Sequence, residues 1–144
     1  MAVVRDLVMI VAGTGISPML QALHCLLGTE GDDTRVWLLY GSRNQEEILG
    51  KAILDAWDES YDQLTVIHSL SREPVGSRWH GRRGRVDKEL LLEYAPPPSE
   101  GEKVIFFVCG PLGMYDDFCG QRGDKELSGH LKELGYDASQ VVKF

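Results

Sequence analysis

Five runs rich in β-branched and aromatic residues recur along the chain, and stretches with helical spacing alternate with them. The runs are LVMIVA (Leu7 to Ala12), RVWLLYG (Arg35 to Gly41), LTVIHSL (Leu64 to Leu70), KVIFFVC (Lys103 to Cys109) and QVVKF (Gln140 to Phe144). Such alternation builds a parallel sheet with helices on both faces. Several runs are apolar on both faces, as strands buried from both sides are. Right-handed crossovers then predict a doubly wound α/β fold, a five-stranded parallel sheet of order 3-2-1-4-5. In such sheets ligands sit at the carboxyl ends of the strands, here between the first and the fourth.

The helical stretches have recognisable starts and stops. The first begins at Ser17 and Pro18, carries Met19, Leu20, Leu23, Leu26 and Leu27 on one side, and stops at Gly28. The second, NQEEILGKAILDAW, has Asn44 as its cap and places Ile48, Leu49, Ala52, Ile53 and Ala56 on one face. The third runs from Asp87 to the triple proline Pro96 to Pro98. After the fourth strand, GPLGMYDDFCG opens another helix, which DKELSGHLKELG either continues or follows with a second; Gly120 and Gly123 leave both open.

At 144 residues, with 43% hydrophobic and 26% charged residues, the chain has the size and composition of one globular domain, residues 1–144. The longest purely apolar stretches have six residues, against the roughly 20 of a membrane-spanning helix, and no signal peptide is recognisable. Cys25, Cys109 and Cys119 are odd in number and lack zinc-ligand spacing, so neither a disulfide framework nor a metal site is expected; a reducing compartment, cytoplasmic by default, is. A net charge of −7 disfavours a nucleic-acid partner. Against that background SRWHGRRGR (Ser77 to Arg85) is locally basic. It reads as a solvated loop or as a site for phosphate or an acidic partner such as a small cytochrome. It lies within the longest connection, Ser71 to Val86, which is long enough to be functional or mobile.

Two glycine-bearing turns fall where the topology puts a ligand: AGTGISP after the first strand and CGPLGM after the fourth. Gly13 and Gly15 let backbone approach a pyrophosphate, and a helix N-terminus favours negative charge. Ser17 can cap that helix, and Pro18 at its first position loses no needed amide. Pro18 stands where the usual dinucleotide fingerprint G-x-G-x-x-G has its third glycine, which disfavours a standard dehydrogenase. Cys109 reads either as a small buried hydrophobe or as a nucleophile in need of a histidine; spacing assigns none of His24, His68, His80 and His130 to it.

GTGISPMLQ (Gly13 to Gln21), LLYGSRNQEEILGKAIL (Leu38 to Leu54) and VCGPLGM (Val108 to Met114) resemble the pyridine-nucleotide half of the ferredoxin-NADP reductase superfamily. Within it they are most similar to cytochrome b5 reductase and the reductase modules of nitrate reductase. The resemblance covers nearly the whole chain in order. It implies NADH or NADPH as cofactor, hydride transfer to FAD, and onward electron transfer to a one-electron acceptor, possibly a haem domain. It also implies that Gly13, Thr14 and Gly15 line the pyrophosphate and nicotinamide approach, and that Thr14 and Cys109 orient the nicotinamide. Gly110 closes the other side of the pocket, Pro111 and Met114 shape it, and the aromatic Phe144 approaches the flavin.

The adenosine end falls to Ser42, Arg43, Ser71 and Arg72, after the second and third strands. Family members that use NADH typically have Asp where this chain has Ser71. Its absence, with Arg72 alongside, leads to the expectation that NADPH is at least tolerated. An arginine matching Arg43 or Arg72 also occurs in NADH-using members, where it serves the ribose or the pyrophosphate, so the preference between the two stays open. No match to the flavin-barrel motif RxY(S/T) occurs, so FAD is expected to be held mainly by a separate domain, with MAVVRD (Met1 to Asp6) as the stub of an interdomain connection. Alone, such a half binds nucleotide and transfers no electrons. The alternatives are a nucleotide-binding or regulatory module without redox chemistry, or a small hydrolase or transferase dependent on Cys109.

Overall fold

The structure, a computed structural model, describes residues 4–144; Met1 to Val3 of the expected connection lie outside them. Six parallel strands form one sheet: β1 (Asp6–Ala12), β2 (Arg35–Ser42), β3 (Leu64–Leu70), β4 (Arg82–Arg83), β5 (Val104–Cys109) and β6 (Val141–Lys143). Their order is β4-β3-β2-β1-β5-β6. Five of them are the expected runs in the expected order. The sixth, β4, corrects the strand count.

Arg82 and Arg83 carry no apolar signal, yet they pair with Ser69 and Leu70. The Gly84 amide donates to the Leu70 carbonyl at 2.7 Å, and the Ser69 hydroxyl donates to the Gly84 carbonyl at 2.7 Å. Hydrogen bonds hold this strand in place where the others have hydrophobic burial. The long connection is therefore ordered, and part of it closes the sheet edge.

Period-two alternation sorts the central strand between two cores. Leu7, Met9 and Val11 face α1 (Ile16–Leu27) and α2 (Lys51–Ser60), against Leu23 and Leu54. Val8 and Ile10 face α3 (Lys88–Tyr94), α4 (Leu112–Phe118) and α5 (Gly129–Glu133), against Leu91, Phe118 and Leu131. At the far end of β1, Asp6 takes a bidentate bond from Arg35, with Nε at 2.7 Å and Nη2 at 3.1 Å, and so ties β1 to β2 away from the ligand end.

Two helix expectations change. The first helix starts at Ile16 with Gly15 as its N-cap and no side-chain cap bond, so Ser17 lies inside it and Pro18 is its third residue. Pro18 still breaks no hydrogen bond, because the first four amides of a helix have no intrahelical acceptor. The second stretch is two pieces. Asn44 caps a 3-10 turn, Gln45–Glu47, accepting from the Glu47 amide at 3.1 Å, and Gly50, at φ +68°, breaks the chain before α2. The break rotates the helical phase, so Leu54 is buried while Leu49 and Ile53 are each 45% exposed. Of the expected face, Ile48, before the break, is buried, while Leu49, Ala52, Ile53 and Ala56 are on the outside. After β5, α4 and α5 are separate helices, divided at Gly120, at φ +86°.

Candidate functional site

A cleft of about 700 Å³ opens at the carboxyl ends of the strands. Its walls come from the turns after β1, β2, β3, β4 and β5. The two walls are built differently.

The first wall is backbone. Gly13 adopts φ +58°, a conformation costly for other residues, and space is open where its Cβ would be. Gly13 and Thr14 line the cleft. Gly15 does not: it is buried, and a Cβ there would lie 2.2 Å from the Cys109 carbonyl oxygen. The second glycine therefore serves the packing of turn against turn and does not itself line the cleft. Gly110 completes the interlock, since a Cβ there would lie 3.4 Å from the Ala12 amide nitrogen, and 2.8 Å from the Met114 sulfur on its own side. Pro111, Gly113 and Met114 line the cleft behind it.

Ser17, Pro18, Cys109, Gly110 and Phe144 stand outside the lining. Cys109 is half-buried at the end of β5, and the Phe144 amide donates to the Val108 carbonyl at 3.0 Å. The Phe144 ring packs edge-on against Phe107 at 5.0 Å, and the Tyr115 hydroxyl donates to the Phe144 carbonyl. Burial pushes the Tyr115 hydroxyl above its ordinary pKa, and the neighbouring Cys109 adds to the shift. Cys119, the C-cap of α4, is fully buried, and that burial pushes its thiol up to about 11. His68 pairs with Asp55 at 3.1 Å and His130 with Glu133 at 3.5 Å, and among the described residues no histidine hydrogen-bonds Cys109.

The second wall is side chain. Ser42 and Arg43 after β2, Ser71 and Arg72 after β3, and Arg85 after β4 all line the cleft. Among the described residues the guanidinium groups of Arg43, Arg72 and Arg85 have no hydrogen-bond or ion-pair partner, and the Ser42 hydroxyl is buried without one. Glu73 holds the turns after β2 and β3 together, accepting from the Gln45 amide at 3.2 Å and its side-chain nitrogen at 2.8 Å.

The basic stretch divides by role. Arg83 donates to the carbonyls of Glu73 at 3.0 Å, Pro74 at 3.2 Å and Trp79 at 3.3 Å, and to the Ser77 hydroxyl at 3.2 Å. Arg82 is likewise committed, to Ser69, Arg85 and Asp87. These two bind their own loop, so a partner-docking role for them finds no free guanidinium. The charged lining residues not singled out from the sequence are Arg85, Glu46, Glu47 and Asp117. The basic run held the signal for Arg85, whereas Glu46 and Glu47 read as helix surface.

The site fits a dinucleotide in kind: an open cradle at Gly13, a buried hydroxyl without a partner at Ser42, and three unpaired cations at one end. Among the described residues no helix is long and apolar enough to cross a membrane.

A model of the oxidoreductase NAD-binding domain matches residues 9–120. The chain is 40% identical over 145 residues to NADH-cytochrome b5 reductase 2 of Phaeosphaeria nodorum, covering 97% of this chain and 43% of that protein. It is 40% identical over 141 residues to NADH-cytochrome b5 reductase 2 of Coccidioides immitis, covering 94% and 42%. The chain thus spans less than half the length of these relatives. Among solved structures it superposes on the cytochrome b5 reductase domain of Ulva prolifera nitrate reductase, with a TM-score of 0.77, 24% identity, and 98% and 50% coverage. On the CS-b5R domains of human Ncb5or in the NAD+ form the TM-score is 0.80, with 24% identity and 98% and 37% coverage. Both likenesses are likenesses of fold.

Proposed function

The chain belongs to the oxidoreductase NAD-binding domain family, and we propose that its 144 residues are the nicotinamide-nucleotide-binding unit of a flavoprotein reductase. The observation that carries this reading is the cleft itself, bounded at one end by interlocked glycine turns and at the other by unpaired arginines. Relatives named for NADH and cytochrome b5 support NADH as donor and a one-electron acceptor such as a cytochrome; in a flavoprotein reductase of this kind, FAD is held by another part of the protein. Three free thiols support a reducing compartment.

In this reading each wall has a task. Gly13, whose carbon lacks a side chain, lets the backbone approach the pyrophosphate, and the N-terminus of α1 favours its charge. Thr14 offers a hydroxyl toward the nicotinamide end. Met114 and Pro111 make an apolar side that keeps water from the ring. Cys109 and Phe144, packed behind that wall, fix the end of β5. Arg43 and Arg72 hold the adenosine end, and their unpaired charges admit NADPH as well as NADH. Bound NAD(P)H supplies the hydride; the protein's contribution is position and electrostatics.

Calorimetry of this chain with NADH tests the reading. One-to-one saturable binding is expected, weakened when Gly13 is replaced by a β-branched residue. Absence of binding by both NADH and NADPH overturns it. Mixing the chain with NADH and free FAD should produce no flavin reduction above that without protein, because the unit positions only one of the two cofactors.

A further inference from the structure

Three neighbouring strand ends each deliver one arginine to the same wall of the cleft: Arg43 after β2, Arg72 after β3 and Arg85 after β4. The first two are fixed by a sheet of seven or eight residues per strand, but β4 has only two. Something else must hold Arg85 in register. Arg82 does so: its Nη1 donates to the Ser69 hydroxyl at 2.6 Å and to the Arg85 carbonyl at 2.7 Å, and its Nη2 donates to Asp87 Oδ1 at 2.8 Å.

Both ends of that clasp are themselves anchored. Ser69 is fully buried and donates to the Gly84 carbonyl at 2.7 Å. Asp87 caps α3 by accepting from the Leu90 amide at 2.9 Å. Burial works against its charge, but the Leu90 amide and the Arg82 guanidinium hold the Asp87 carboxyl below the usual carboxylate range. One guanidinium therefore spans strand, turn and helix cap. It leaves the side chain of Arg85 unpaired and exposed at the cleft.

We propose that Arg82 is a positioning residue that sets Arg85 as the third cation of an anion-reading row, and that this row selects for a phosphate on the adenosine ribose. The proposal rests on the nucleotide-binding reading above. A lysine at position 82 keeps the charge but cannot donate in a fork to three acceptors, so it is not an equivalent clasp. Glu46, Glu47 and Asp117 also line the cleft. The row must therefore outweigh nearby carboxylates, and losing one of three cations should be felt.

The test is calorimetry of the chain with AMP and with 2′-phospho-AMP, for wild type, Arg85→Gln, Arg82→Lys and the double variant, with thermal midpoints recorded alongside. Wild type should bind 2′-phospho-AMP more tightly than AMP. Arg85→Gln should lose about tenfold for 2′-phospho-AMP, the order of one charge-assisted hydrogen bond, and less than about twofold for AMP. Arg82→Lys should lose a similar factor alone and nothing further in the Arg85→Gln background. A merely structural Arg82 would lower the midpoint and weaken both ligands equally and additively. That outcome, or a wild type that binds AMP as well as its phosphorylated form, overturns the proposal. A wild type that binds neither these ligands nor NADH overturns the nucleotide-binding reading instead.

Discussion

The two walls of the cleft reach the same kind of end by opposite means. Gly15 and Gly110 bring the β1 and β5 turns into contact by having no side chain, whereas Arg82 and Arg83 hold the β3–α3 connection by having the longest ones. Contact between backbones is close-packed and indifferent to salt and pH. A wall of guanidinium bonds is sensitive to both, through the carboxylates and hydroxyls it uses. The first wall thus has one geometry across conditions, and the second can be tuned by single charges.

The largest expected effect breaks the glycine wall. Gly15→Ala places a Cβ 2.2 Å from a backbone oxygen that no rotamer change can move. It should cost about 3 kcal/mol, at the upper end for overpacking, measured by denaturant unfolding. Gly13→Ala has open space and pays only for its positive φ, so about 1 kcal/mol is expected. If the two cost the same, packing does not distinguish them and the contrast fails. In the arginine wall, Ser69→Ala strips a buried hydroxyl from Arg82 and from the Gly84 carbonyl; a loss of about 2 kcal/mol is expected.

Titration should separate the arginine wall from the core at the end of α4 by sign. Asp87 has its folded pKa depressed, so its contribution is present above the unfolded carboxylate value of about 4 and is lost as pH falls below it. Cys119 has its folded pKa raised to about 11. Its neutral form keeps stability full below the unfolded thiol value of about 8.5, and stability declines as pH rises toward the folded value. Limited proteolysis should therefore open residues 72–87 first in acid and residues 112–120 first in alkali; the reverse order would sink the assignment. At pH 8, alkylation read by mass spectrometry should label exposed Cys25 and spare Cys119. The smallest effect belongs to neither wall. Lys51 and Asp55 are both more than two-fifths exposed, and Lys51→Met should change stability by less than about 0.5 kcal/mol.

Much of this was legible locally. The third helix starts at Asp87 as expected, Asn44 accepts an amide as a cap although of a 3-10 turn, and the apolar runs form β1, β2, β3, β5 and β6 in the expected order. Those features depend on burial and on side chain to backbone bonds within a few residues, which a one-dimensional pattern records. The second helix misled because Gly50 breaks the phase, a choice made by the positive φ at one residue.

By itself, then, the sequence determined the alternation, the sheet order and the two glycine turns at the switch point, because hydrophobic periodicity and turn chemistry are local quantities. Only the tertiary structure decided that Gly15 packs against the neighbouring turn and lies outside the cleft lining. It alone showed that Arg82 and Arg83 form a strand and a clasp while Arg85 remains free. The physical reason is the same for all. A glycine's missing Cβ or an arginine's five donors acquire a purpose only from the atoms opposite, and those atoms come from segments distant along the chain.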